Sequence, residues 1–187
     1  MNISFILDES GSMYSGINDT IGGFNSYVAE IKGKPKFTLT KFGGKDGTVI
    51  PYKNVKLSKV KPLTKDTYVP YGNTPLLDAI GKTIASLKGK RKVLMVIQTD
   101  GEENASVEFT GEQIKEMIEK KQKIGWAFVF IGADIDAFSI SRSFGISAGN
   151  VGSYGSQDPL AVSVMAAQTT RTYTASNGKQ TTNLMEN

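Results

Sequence analysis

The sequence predicts an α/β fold: a doubly wound, mostly parallel sheet with helices on both faces. Three observations point there. Apolar runs of strand length at residues 3–7, 93–98 and 124–131 read as buried strands. Between them lie segments whose apolar residues recur at three- and four-residue spacings, as amphipathic helices require. Strands and helices alternate along the whole chain, the pattern of parallel strands joined by right-handed crossovers.

The elements follow in order. Ile3-Ser4-Phe5-Ile6-Leu7 is the first strand, and Asp8-Glu9-Ser10-Gly11-Ser12-Met13 is the turn that leaves it. Residues 16–32 carry Ile17, Ile21, Phe24, Val28 and Ile31 on one helical face, and Gly33 and Pro35 end that helix. Residues 36–42 form a strand with one face less buried, and residues 43–47 a turn. Residues 48–60 read as an edge strand blunted by Pro51 and several lysines. A long polar connection at 61–74 leads to a helix over 75–87, with Thr74 as N-cap and Pro75 as first helical residue. Residues 93–98 are the most apolar run and form a central strand ending at Thr99-Asp100-Gly101. A helix over 110–123 opens on Thr110, Glu112 and Gln113, which resemble a capped first turn. Residues 124–131 are a strand, 134–144 a short helix, 148–154 a weak last strand and 158–172 a closing helix. Residues 1–173 are therefore one domain. The polar stretch 174–187 is expected to be a flexible tail with almost no apolar area to bury.

Composition narrows the chemistry. The chain has 187 residues, 39% hydrophobic and 21% charged, which fits one large globular domain. No apolar run spans a bilayer, and the N-terminal run stops at Asp8 with no basic segment before it, so the expected location is the cytoplasm. With no His and no Cys there is no Ser-His-Asp triad, no cysteine nucleophile and no ordinary structural zinc site. A net charge of +4 permits weak nucleic-acid contact without arguing for it, and no aromatic-and-basic interleaving accompanies it.

The turn after the first strand sets the functional question. A carboxylate and two hydroxyls stand at the carboxyl end of a buried strand, where ligands bind in open α/β sheets. Asp100 stands on the equivalent turn after residues 93–98. With strand order 3-2-1-4-5-6 the two strands are neighbours at the switch point. Thr74 opens the helix leading into the second of them and reaches the same crevice. Asp8, Ser10, Ser12, Thr74 and Asp100 then offer two carboxylates and three hydroxyls. Hard oxygen ligands of this kind suit Mg²⁺ or Mn²⁺ and leave a coordination position for an outside ligand. Each residue alone has a plainer reading: Ser10 and Ser12 as turn residues, Asp100-Gly101 as a turn dipeptide, Thr74 as a cap. It is their convergence on one crevice that favours a metal.

Asp8-x-Ser10-x-Ser12, Thr74 within Gly72-Asn73-Thr74-Pro75-Leu76, and Thr99-Asp100-Gly101 resemble the metal-ion-dependent adhesion site of von Willebrand factor A domains. All five family positions are matched in order, and the element order is similar over residues 2–172. The phrasing resembles compact bacterial and phage members. The resemblance implies a six-stranded Rossmann-like sheet, one divalent cation, usually Mg²⁺, and a protein partner whose Asp or Glu completes the metal shell. The loops around the metal would set specificity: Tyr14 and Ser15, Tyr71 to Asn73, and Glu102 to Asn104, with Tyr14 and Tyr71 as anchors.

Two other functions compete. An Mg²⁺-dependent phosphotransferase on a similar scaffold needs a second Asp two residues after the first, where this chain has Ser10. A nucleic-acid-binding scaffold would show salt-sensitive affinity. Several features read as decoys. Gly81-Lys82-Thr83 ends like a phosphate-binding loop, but Leu76 stands where that loop needs Gly. Asp134 and Asp136 read as helix caps, Glu102 and Glu103 as solvated, and the lysines of residues 53–65 as a solvated edge.

Overall fold

The computed structural model describes residues 1–133, 135–155 and 161–185. One sheet holds six strands in the order β3-β2-β1-β4-β5-β6. They are β1 (Asn2–Asp8), β2 (Lys36–Phe42), β3 (Val49–Lys56), β4 (Val93–Thr99), β5 (Ala127–Ala133) and β6 (Val151–Tyr154). Every pairing is parallel except β2 with β3, which is antiparallel and passes through two register shifts. A six-residue turn joins β2 to β3, too short for the crossover that a parallel neighbour demands.

Strand periodicity sorts the core into two layers. From β1, Ile3, Phe5 and Leu7 face one side with Leu94 and Val96 of β4 and Val129 and Ile131 of β5. Ile6 faces the other, with Val93, Met95 and Ile97 of β4 and Phe128 and Phe130 of β5. Helices α1 (Ile17–Glu30) and α5 (Ala161–Ala175) cover the first face; α2 (Leu76–Ser86), α3 (Gly111–Gln122) and α4 (Ala137–Ser143) cover the second. Both faces of β4 are buried along its whole length, which is why it reads as an unbroken apolar run. Phe5 packs edge-on to Phe24 of α1, and the Tyr27 hydroxyl meets Thr170 of α5 at 2.9 Å.

Element ends move by a few residues from expectation: β3 ends at Lys56 rather than residue 60, and β5 starts at Ala127 rather than residue 124. Thr110 and Gln113 form the expected capping box on α3, and Asp136 caps α4 through the Ser139 N–H. Asp134 and the expected start of the closing helix at Asp158-Pro159 lie outside the described residues. Gly81, Lys82 and Thr83 sit inside α2, where a Cβ on Gly81 would strike the Phe109 ring; the glycine serves close packing.

Two expectations are corrected. Thr74 is not the N-cap of α2: Pro75 holds that position, and the Leu77 N–H donates to the Glu103 carboxylate at 2.9 Å. The stretch after α5 does not lie loose up to residue 185. Leu184 is fully buried in the first core layer with Met185 against it. The Asn150 amide clamps this stretch, donating to the Thr181 carbonyl at 2.7 Å and accepting from the Leu184 N–H at 3.0 Å. Gln168 donates to the Met185 carbonyl at 3.0 Å and the Met185 N–H to the Gly149 carbonyl at 3.1 Å, so a segment of polar average composition is held by one leucine and several hydrogen bonds.

Candidate metal centre

The carboxyl ends of β1 and β4 lie side by side at the middle of the sheet, with Leu7 opposite Gln98, so Asp8 and Asp100 leave adjacent strands at the same end. Asp8 is fully buried. Its carboxylate accepts the Ser10 N–H at 2.7 Å on one oxygen and the Thr99 hydroxyl at 2.5 Å on the other. Ser10 continues as the cap of a short 3₁₀ turn, Gly11–Tyr14, which carries Ser12 back over the strand ends. The Ser10 and Ser12 hydroxyls are 3.1 Å apart, and Ser12 donates to an Asp100 oxygen at 2.6 Å. Thr74 is nearly buried, and its hydroxyl stands 3.1 Å from where a Cβ on Gly101 would be; the Ser12 hydroxyl is 3.6 Å from the same point. The five predicted residues therefore converge, from three separated segments.

Burial pushes the Asp8 carboxyl up to about 6, against the hydrogen bonds from Ser10 and Thr99 that favour its charged form; the nearby Asp100 adds to the rise. Asp8 is thus a desolvated carboxylate with a second carboxylate beside it, an arrangement that a cation relieves. The donors are all oxygen. Among the described residues no three His, Cys, Asp or Glu side chains cluster as metal ligands, so any cation held here depends on hydroxyls as well as the two carboxylates.

Residues outside the predicted set shape the crevice. Thr99 links Asp8 to the Asp100 turn, since its hydroxyl also accepts the Gly101 N–H at 3.1 Å. Tyr68 donates to the Asp8 carbonyl at 2.6 Å, and burial raises its phenol well above the ordinary value, with the Asp8 charge adding to it. Glu9 points away from the crevice: it pairs with Lys41 at 2.8 Å and accepts the Val69 N–H at 2.6 Å, fastening the 61–74 connection to the strand ends. Gly43 and Gly72, both at positive φ, let three backbones meet there. A Cβ on Gly43 would lie 2.7 Å from the Ser10 nitrogen and 2.8 Å from the Asn73 carbonyl oxygen.

The Asp100 loop is equally anchored. Asn104 accepts the Thr74 N–H on its side chain at 2.8 Å and donates its own N–H to the Thr74 carbonyl at 3.2 Å. Glu103 takes the N–H groups of Leu77, Ala105 and Ser106 and the Ser106 hydroxyl. Burial works against its charge, but these hydrogen bonds outweigh it and hold the carboxyl below its ordinary value. The expectation of a solvated Glu103 is overturned; Glu102 beside it is exposed. Of the remaining predicted contact residues, Tyr14 and Tyr71 are 72% and 65% exposed on the loops flanking the crevice, and Asn73 is exposed between Tyr71 and Thr74. A single Asp in D-x-S-x-S is visible in sequence; Thr99, Glu103 and Asn104 acquire their roles only when the loops meet.

No family model matches the sequence, and no curated protein matches it. Solved structures do. The von Willebrand factor domain of the type V pili tip protein Mfa5 from Porphyromonas gingivalis superposes with a TM-score of 0.69 at 9% identity, covering 96% of both chains. The fold is that of a von Willebrand factor A domain. A von Willebrand factor type A protein from Catenulispora acidiphila matches with a TM-score of 0.64 and 13% identity over 91% of this chain and 42% of its own. Proximal thread matrix protein 1 from the mussel byssus matches at 0.66 and 12%, over 90% of this chain and 47% of its own. The chain spans less than half the length of these last two proteins. Among the described residues, no helix is long and apolar enough to cross a membrane.

Proposed function

We propose that this domain is a protein-binding module whose contact is completed by a divalent cation, Mg²⁺ or Mn²⁺, at the Asp8–Asp100 crevice. The observation that carries the reading is the continuous set of oxygens running from Asp8 through Ser10 and Ser12 to Asp100, with Thr74 beside it. The hydroxyls of Ser10, Ser12 and Thr74 and the carboxylates of Asp8 and Asp100 would hold the ion, which would supply a Lewis-acidic position facing solvent. Two carboxylates only balance a divalent charge, so affinity is expected in the micromolar-to-millimolar range typical of weak hard-ion sites. An Asp or Glu of the partner would still be attracted and would complete the ion's shell.

The chain's own residues do the rest. Thr99 and Tyr68 hold Asp8 in place; Glu103 and Asn104 hold the Asp100 loop against α2, so the ligand oxygens are set before the partner arrives. Exposed Tyr14 and Tyr71 offer rigid contact area at either side, and Asn73 and Glu102 offer polar contacts. The experiment is an affinity capture with wild type and Asp8→Ala, each with Mg²⁺ and with a chelator. A partner that is retained only by the wild type with Mg²⁺, and that loses binding when one of its own carboxylates is removed, supports the reading. A partner indifferent to both chelation and Asp8→Ala puts the binding surface elsewhere.

A further inference from the structure

A second groove lies at the opposite end of the strands from the crevice. Charge is unevenly spread along this chain. Residues 32–65 hold ten lysines and one acid, Asp46, so this stretch carries +9 while the whole chain carries +4 and the remainder is −5. Part of that charge surrounds a groove of about 650 Å³ where α1 ends and β2 begins. Half-buried Val28, Ile31 and Leu57 form its floor; exposed Lys34, Lys36 and Lys56 stand at its rim. Lys36 pairs with Asn2, the first residue of β1, whereas the crevice begins at Asp8, the last. The two surfaces are thus a full strand length apart.

The lysines at the rim are uncompensated. Among the described residues, ion pairs involve Lys41, Lys82 and Lys120, but not Lys34, Lys36 or Lys56. Lysines held at the rim of an apolar trough match a ligand with carboxylates flanking an apolar stripe. The lining includes no aromatic ring to stack on a base and no arginine to grip a phosphate, which argues against nucleic acid. No large hydrophobic side chain protrudes at the rim to enter a lipid surface. Strand addition on β3 is also blocked, because Pro51 lacks an N–H and the strand's register shifts twice.

We propose that this groove docks an acidic amphipathic segment of a protein partner, without metal. The domain then has two independent contacts: one completed by a cation, one driven by lysine charge over an apolar floor. The test is fluorescence anisotropy in excess chelator and low salt. The probe is a labelled peptide with leucines at helical i, i+3, i+4 spacing and glutamates elsewhere. Binding is expected, and the Lys34→Glu/Lys36→Glu/Lys56→Glu triple variant should weaken it roughly tenfold or more. The same charge change at exposed Lys88, Lys123 and Lys179 should alter it by no more than about twofold, as distant rim charges do. Should the charge reversal lower the melting temperature, Lys→Gln at the same three groove positions must still weaken binding. Equal loss in both triple variants would overturn the proposal, as would equal binding of a peptide with serines in place of the leucines. So would tighter binding of a single-stranded oligonucleotide or of phosphatidylserine vesicles, or self-association that the groove variant abolishes.

Discussion

Asp8→Asn should stabilise the metal-free domain, and only once the pH rises well above 4. The Asp8 carboxyl is pushed from its ordinary 3.8 up to about 6 by burial, so ionising it in the folded state is harder than in the unfolded chain. The folded protein therefore holds the proton more tightly. Stability from this group is intact below pH 3.8, falls as pH rises towards 6, and stays reduced above that. The difference between 3.8 and about 6, at about 1.4 kcal/mol for each pH unit, is about 3 kcal/mol at pH 8. Asparagine removes the charge with little change of shape. One amide oxygen can still accept the Ser10 N–H. The Thr99 hydroxyl, no longer donating to residue 8, can accept the new amide N–H and turn its hydrogen to the Gly101 carbonyl, 3.0 Å away. Urea denaturation of both proteins in chelator, from pH 4 to pH 8, reads the effect. Asp8→Asn should be the more stable at pH 8 and the two should converge near pH 4. A variant less stable at pH 8, or a gap that does not change with pH, would refute the electrostatic account of the crevice.

Three further outcomes follow from other residues. Gly43→Ala forces a side chain into positive φ and against the Ser10 and Asn73 backbones; it should lower stability by about 1–3 kcal/mol and weaken Mg²⁺ or Mn²⁺ binding, read by calorimetry beside a thermal melt. Leu184→Ala should destabilise by about 2–5 kcal/mol, because this leucine is wholly buried; a change within error would mean the C-terminal stretch contributes no packing. Tyr71→Ala should weaken the partner complex by about 1–2 kcal/mol while leaving metal affinity unchanged, which separate titrations of partner and metal distinguish.

Much of this was legible in the chain. β1, β4 and β5 are apolar on both faces, so they stand out as buried parallel strands, and D-x-S-x-S packs three of the five oxygens into a single turn. What stayed hidden depends on distant partners. Thr74 before Pro75 has the local form of a cap, but Glu103, far along the chain, supplies the capping carboxylate and pins its own loop in doing so. Thr99 looks like one more strand residue until Asp8 is beside it. Leu184 and Met185 form an apolar pair that an averaged composition over 174–187 dilutes; the docking depends on the Asn150 side chain, which a sequence reading has no reason to single out. The lysines of the β3 edge look like solvated charge, and only the fold places Lys56 beside Lys34 and Lys36 over apolar side chains.

The proposed binding depends on a hard cation among the Asp8, Ser10, Ser12, Thr74 and Asp100 oxygens. Anomalous diffraction from crystals grown with Mn²⁺ tests it most directly. One strong anomalous peak is expected between those five side chains, absent from Asp100→Ala crystals grown alike. A map without a peak there at saturating Mn²⁺, or a peak that persists in Asp100→Ala, would contradict it.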